Sequence, residues 1–148
     1  MMNESNYSRI IAVGDIHGWL NPLLKMLELI KIDDNDLVVF IGDYIDRGPQ
    51  SKNVIEKLIS LEFLYKNIIF LKGNHEDMLL GSVGLNAVIK DFRTWLYNGG
   101  TRTLFSYGLN VKDLQRLIYS WNDSEKANRI IELFPKSHFD FIRDLNSY

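Results

Sequence analysis

The 148-residue sequence contains no cysteine, which excludes disulfide staples and any thiolate nucleophile. It has no basic excess: 17 Lys and Arg against 19 Asp and Glu leave a formal charge of −2. With a pI near 5.9, no electrostatic footprint for nucleic acid is present. Basic residues are scattered, so no polybasic membrane anchor can be read. The segment Met1 to Asn6 lacks the basic start and apolar core of a signal peptide, and no apolar run is long enough to cross a bilayer. The expectation is a soluble, cytoplasmic protein with neither nucleic-acid nor membrane partners. What the chain does have is apolar mass. At 46% hydrophobic residues it can bury a core, as one domain over 1–148 or as part of a larger one.

Apolar runs and turn residues divide the first half regularly. Ser8 to Val13 reads as a buried strand that turns at Gly14. Asn21-Pro22 has the form of an N-cap and first helical residue, followed by a face of Leu23, Leu24, Leu27 and Ile30. Asp33 to Asp36 is an acidic, solvated turn whose spacing fails the EF-hand pattern. Leu37 to Ile41 is a second buried strand, Ser51 can cap a helix faced by Val54, Ile55, Leu58 and Ile59, and Ile68 to Leu71 is a third strand. Another helix opens over His75 to Leu80. This β-α-β-α-β order predicts an α/β fold with a parallel sheet, covered on both faces. After Leu85 the strand signal stops, and Ala87–Leu96, Val111–Trp121, Ser124–Phe134 and Lys136–Leu145 read as amphipathic helices, a flank on the same domain.

Three polar strings follow the three strands: Gly14-Asp15-Ile16-His17-Gly18, Gly42-Asp43-Tyr44-Ile45-Asp46-Arg47-Gly48 and Gly73-Asn74-His75-Glu76. They fall at the carboxyl ends of neighbouring parallel strands, where open α/β sheets bind ligands. Adjacent strands lie about 4.8 Å apart, so side chains leaving them can converge. Asp15, His17, Asp43 and Asn74 are oxygen and nitrogen donors for hard or borderline divalent metals. Asp15 and His17 are two residues apart and on extended backbone would point the same way. Asp43 has two oxygens and can bridge two metals, and Asn74 adds a neutral carbonyl. Two such ions acidify a shared water and clamp a phosphoryl group for in-line attack. His75 can protonate a leaving alcohol, Asp46 can orient that imidazole, and Arg47 can grip phosphoryl oxygens. Taken singly, each string has a plain structural reading: a capping turn, a core histidine, a surface ion pair. Tyr44 and Trp19 read as packing residues, and His138, on the face of Phe141, Ile142 and Leu145, as a structural histidine.

The strings resemble the phosphoprotein phosphatases, the metal-dependent serine/threonine protein phosphatases, and especially their small bacterial members. Asp15 and His17 match the first motif of that family, and Asp43 its bridging aspartate. Asp46, Arg47, Asn74 and His75 fall on its acid-orienting, phosphate-binding, ligand and general-acid positions. Trp95-Leu96-Tyr97-Asn98-Gly99-Gly100 and Phe134-Pro135-x-x-His138-x-x-Phe141 also look like the bacterial branch. The resemblance implies a calcineurin-like metallophosphoesterase fold and two divalent ions, manganese first, with iron or zinc as alternatives. It further implies attack of a metal-activated hydroxide on phosphoserine or phosphothreonine proteins, or on a small phosphoester. Two family strings that carry further ligand histidines, one like Val-His-Ala-Gly and one like Gly-His-Thr, are missing, and Lys72 stands where eukaryotic members tend to carry arginine. The resemblance thus reaches only the first half of the family. The expectation is a truncated domain whose second metal site keeps Asp43 and Asn74, with uncovered sheet that favours self-association. The competing readings are a dinucleoside tetraphosphate hydrolase and a catalytically poor metal-binding remnant.

Overall fold

The run Leu37 to Phe40 forms the middle of a parallel sheet because it is apolar on both faces. In the computed structural model, which describes residues 7–85, 87–88 and 90–147, β1 (Arg9–Val13), β2 (Asp36–Phe40) and β3 (Ile68–Phe70) lie in the order β1-β2-β3. Both pairings are parallel, with Ile11 opposite Val38 and Val38 opposite Ile68. Parallel neighbours need crossovers, supplied by α1 (Leu20–Ile30) and α2 (Ser51–Leu64). Val38 and Phe40 are buried with Val54, Ile55 and Leu58 of α2 in one core, and Phe40 stacks on Phe70 at 5.1 Å between centroids. All three strands therefore end at the same edge of the sheet.

Strand β1 departs from the expectation of cover on both faces. Arg9, Ile10 and Ala12 are exposed, and Ile10 is 58% accessible. An edge strand shares its burial with one neighbour only, so continuous hydrophobicity in the sequence did not translate into burial. At the other edge, Asn146 makes an isolated parallel bridge to Leu71, just beyond β3.

The remaining elements are helical: α3 (Asn74–Ser82), α4 (Phe92–Trp95), a π turn over Leu96–Gly100, α5 (Thr101–Ser106), α6 (Val111–Tyr119), α7 (Asp123–Leu133) and α8 (Lys136–Arg143). The expected helix over Ala87–Leu96 starts only at Phe92, because the Asp91 carboxylate accepts from Arg93 and Thr94 amides and fixes the N-terminus there. Its residue Ile89 lies outside the described residues, as do Met1 to Asn6. Helix α5 was not anticipated. Gly99, at φ 108°, breaks the coil between α4 and α5, where the sequence shows only a glycine pair between helices. Helix α1 begins at Leu20, so Asn21-Pro22 falls inside its first turn and not at its cap. Ser51 likewise is the first helical residue, with Gln50 at the cap. Among the described residues no helix is long and apolar enough to cross a membrane. His138 is buried, with Nδ1 3.0 Å from the Tyr107 hydroxyl and Nε2 2.8 Å from Glu56. Tyr44 is fully buried as expected of a packing residue, whereas Trp19 is 51% exposed.

Arg9 and Asp36 occupy paired positions in β1 and β2, and the guanidinium donates to both Asp36 oxygens at 2.8 and 2.5 Å. Those bonds, with the Asp33 amide, hold the Asp36 pKa below the usual carboxylate value. A depressed folded pKa contributes stability above the unfolded value of about 3.9, lost as pH falls through the folded value. The urea midpoint of the protein should therefore exceed that of Asp36→Asn at pH 7, with the gap closing on acidification below about pH 4. A gap that stays constant from neutral to acid pH would contradict this assignment.

Candidate metal and phosphate site

Each of the three polar strings begins where a strand ends, and the loops are stitched to one another by backbone. The amides of Ile16 and His17 donate to the Asp43 carbonyl at 3.0 and 2.8 Å, and Gly18 donates to the Tyr44 carbonyl at 2.8 Å. Gly48 returns a bond to the His17 carbonyl at 2.9 Å. This interlock bends both chains into the left-handed region: φ is 46° at His17, 56° at Asp43, 73° at Asp46 and 62° at Arg47. Each such L-residue costs on the order of 1 kcal/mol, and such strain concentrates at functional sites. The extended geometry expected of Asp15 to His17 is accordingly absent. The Asp15 carboxylate nevertheless lies 3.4 Å from His17 Nε2.

Glu76 holds the second loop in place. Its Oε2 accepts from the amides of Asp43 (2.9 Å) and Gly73 (3.1 Å), and its Oε1 from Tyr44 (2.8 Å) and Ile45 (3.2 Å). The side chain is completely buried, and burial pushes its pKa up to about 7 against the pull of the amides. The Tyr44 hydroxyl anchors the same loop to the third by donating to the Leu71 carbonyl at 2.7 Å. Sequence reading gave Glu76 no role. Its signal was position: it stands three residues after the N-cap Gly73, at N3, from which a glutamate reaches back to the N-cap amide.

The titratable groups meet at the centre. His17, Asp43 and His75 each offer a ligand atom within 4.8 Å of the others. His17 Nδ1 donates to the Ile45 carbonyl at 2.9 Å, which leaves the lone pair on Nε2. That atom is buried and has no hydrogen-bond partner. A buried, unpartnered imidazole nitrogen facing a carboxylate is the arrangement a divalent cation satisfies. The donor set of imidazole and carboxylates suits a borderline or hard ion, so the residues fit the group. Asp15 sits at the rim, with its side chain 62% exposed. Asn74, the first residue of α3, is exposed beside Gly73.

His75 is engaged on both sides. Its Nδ1 lies 2.7 Å from Asp46 Oδ2, its Nε2 lies 3.2 Å from an Arg47 amino group, and its backbone amide donates to Asp43 Oδ1 at 3.1 Å. Burial pulls the His75 pKa down, but the Asp46 hydrogen bond and the charges of Asp46 and Asp43 outweigh it, and the net shift is upward. Burial raises the Asp46 pKa, opposed by donors from His75, Thr103 and Trp95. Trp95, Thr103 and Ser51, which sequence reading did not place here, surround Asp46. The signal available was the Trp95 to Gly100 string, read only as a family resemblance.

Gly73 is required by close approach. A Cβ there would overlap the Asp43 carboxylate and its amide, whereas a Cβ on Gly14 would meet nothing within 4 Å. Gly73→Ala should lower stability by about 1–3 kcal/mol through overpacking and push Asp43 out of the cluster. Gly14→Ala should stay within about 0.5 kcal/mol of the parent. Urea unfolding checks both, and equal stability of the two variants would contradict the packing described.

The chain has relatives among known proteins. The family model for calcineurin-like phosphoesterases matches residues 8–147. Serine/threonine-protein phosphatase 2 of Escherichia coli K12 is 34% identical over 147 residues, 99% of this chain and 56% of the relative. Serine/threonine-protein phosphatase 1 of Salmonella typhimurium is 37% identical over 101 residues, 67% of this chain and 42% of the relative. The chain thus spans about half the length of these curated relatives. A crystal structure of a "putative diadenosine tetraphosphatase" superposes with a TM-score of 0.53 at 22% identity, over 92% of this chain and 42% of that one, a likeness of fold alone. On a match that runs through all three strands and all three loops, the chain belongs to the calcineurin-like phosphoesterase family.

Proposed function

We propose that the protein hydrolyses phosphomonoesters, with phosphoserine and phosphothreonine in proteins as its substrate class. The observation that carries this reading is the unpartnered His17 Nε2 beside Asp43, bordered by a His75–Asp46 pair and an exposed arginine. Asp15, His17, Asp43 and Asn74 would hold the divalent metal, manganese being the ion to test first. When bound, the metal would supply an acidified water and positive charge for phosphoryl oxygens.

The chain's own residues account for the rest. Arg47 is exposed and reaches the ring of His75, so its fork can take two non-bridging phosphoryl oxygens and stabilise charge that grows on them. His75 Nδ1 is committed to Asp46, which leaves Nε2 to give its proton to the leaving oxygen. As water oxygen bonds to phosphorus, the ester P–O bond breaks, and the alcohol departs with that proton. In this geometry Arg47 donates to Nε2, which therefore carries a lone pair. Arrival of a phosphoryl group would draw the guanidinium away, and Nε2, on a ring held beside the Asp46 anion, would take up from solvent the proton it then passes to the leaving oxygen. The names of the two bacterial relatives favour a phosphoprotein substrate. A dinucleoside tetraphosphate is the comparison substrate for the same assay.

Two outcomes test the assignment of roles. Isothermal titration with manganese should give one tight site, weakened at least tenfold in Asp43→Asn and little changed in Asp46→Asn. Asp43 shares the cluster with the unpartnered imidazole, and Asp46 is taken up by His75, Thr103 and Trp95. Equal affinity of Asp43→Asn and the parent would contradict it. In His75→Ala, turnover of a phosphoserine peptide should fall by about 10²–10⁴, the usual worth of a general acid, while dinitrophenyl phosphate, whose leaving group needs no proton, should be nearly unaffected. Equal loss on both substrates would assign His75 to folding or metal binding instead.

A further inference from the structure

We propose that Trp95, Thr103 and Ser51 are positioning residues for the proton donor: they fix the Asp46 carboxylate and, through it, the plane of the His75 ring. The inference rests on the proposed role of His75 and extends it to a part of the chain far away in sequence. Asp46 is completely buried, and its oxygens are filled from three directions. Oδ1 accepts from the Thr103 hydroxyl at 2.6 Å, the Trp95 indole N–H lies 3.2 Å from Oδ1 and 3.0 Å from Oδ2, and Oδ2 receives His75 Nδ1 at 2.7 Å.

The proton directions follow from counting. The Asp46 amide points at both Thr103 Oγ1 (2.9 Å) and Ser51 Oγ (3.1 Å), so both hydroxyls accept from it. Thr103 has one hydroxyl proton and uses it on Asp46 Oδ1. The 3.0 Å contact between Ser51 and Thr103 must then carry the Ser51 proton toward Thr103. The result is a directed chain, Ser51 to Thr103 to Asp46, in which each bond polarises the next. Thr103 and Trp95 hold the carboxylate from one side, and Oδ2 also receives His75 Nδ1.

The segment that delivers these donors is shaped for contact with the loop. The Gly99 carbonyl lies 3.4 Å from the Arg47 amide, and a Cβ on Gly99 would come within 2.6 Å of the same amide. A Cβ on Gly100 would strike the Trp95 ring at 2.6 Å. The two glycines therefore let the π turn close over the indole on one side and over Arg47 on the other. Irregular helical turns of this kind recur at functional sites. A core that needed only apolar volume would be served by phenylalanine at 95 and valine at 103. The hydrogen-bonding atoms are what those replacements remove.

The test uses the 148-residue protein with Trp95→Phe, Thr103→Val and Thr103→Ser, in two arms. In the first arm, without metal or phosphoester, proton NMR follows the His75 Nδ1–H resonance, identified by its absence from His75→Ala. The parent and Thr103→Ser should show it as one slowly exchanging downfield signal, and Trp95→Phe and Thr103→Val should broaden or shift it while far-UV circular dichroism stays unchanged. Each variant removes a different donor to Asp46, so one folded variant of the two suffices. In the second arm, with manganese, Trp95→Phe and Thr103→Val should lose about tenfold in kcat on a phosphoserine peptide, a fraction of the general-acid contribution, and less than twofold on dinitrophenyl phosphate. Thr103→Ser should restore the peptide rate. A parent that lacks the slow resonance overturns the inference, as do variants with an unchanged resonance or equal losses on both substrates. A parent that turns over no phosphoester overturns the proposed function, and the first arm still decides the network.

Discussion

The buried carboxylate of Glu76 stands at the junction of the second and third loops, and most of the site's geometry traces back to it. Four backbone amides converge on its two oxygens, three of them from consecutive residues of a loop that holds Asp43 at φ 56°. Strain of that kind persists only where surrounding contacts over-determine the backbone. The first loop depends on the same clamp at one remove, because Ile16, His17 and Gly18 donate to carbonyls of Asp43 and Tyr44. Without Glu76, the buried amides of Tyr44, Ile45 and Gly73 would lack this partner, at roughly 1–3 kcal/mol each. The position of the ligand atoms is thus set by a residue whose own oxygens are taken up by backbone amides.

The two histidines at the centre are treated in opposite ways. His17 gives its Nδ1 proton to a backbone carbonyl and keeps a buried lone pair with nothing to receive it. His75 gives its Nδ1 proton to a carboxylate, which favours the charged ring. A neutral imidazole with a free lone pair is a ligand, and one held by an anion is a proton donor. Their rings meet edge to face at 4.6 Å, so both kinds of chemistry could act on one small group. The third histidine, His138, is engaged by Tyr107 and Glu56 and belongs to the packing of the helices.

Much of this was legible in the sequence because it is local. Apolar runs located the strands and the polar strings located their ends, so the meeting of the three strings at one sheet edge followed from topology. What escaped was of two kinds. Burial of β1 could not be read, since Ile10 looks the same on an edge strand as on a central one. The loop conformations were missed too, because positive φ at His17 and Asp43 is imposed by amide bonds to partners dozens of residues away. The same reason hid Trp95 and Thr103, which lie 49 and 57 residues from Asp46. The glycines after Trp95 read as a break in a helix, yet they bring the indole to the carboxylate.

The loops converge on a candidate cation site whose open position is His17 Nε2. Crystals grown with manganese and measured at a wavelength where that ion scatters anomalously address it most directly. The expected result is an anomalous peak bonded to His17 Nε2 and to the Asp43 carboxylate, with Asp15 or Asn74 completing the shell and His75 Nδ1 still on Asp46. A peak located elsewhere, or none at millimolar manganese with His17 Nε2 still unpartnered, would contradict it.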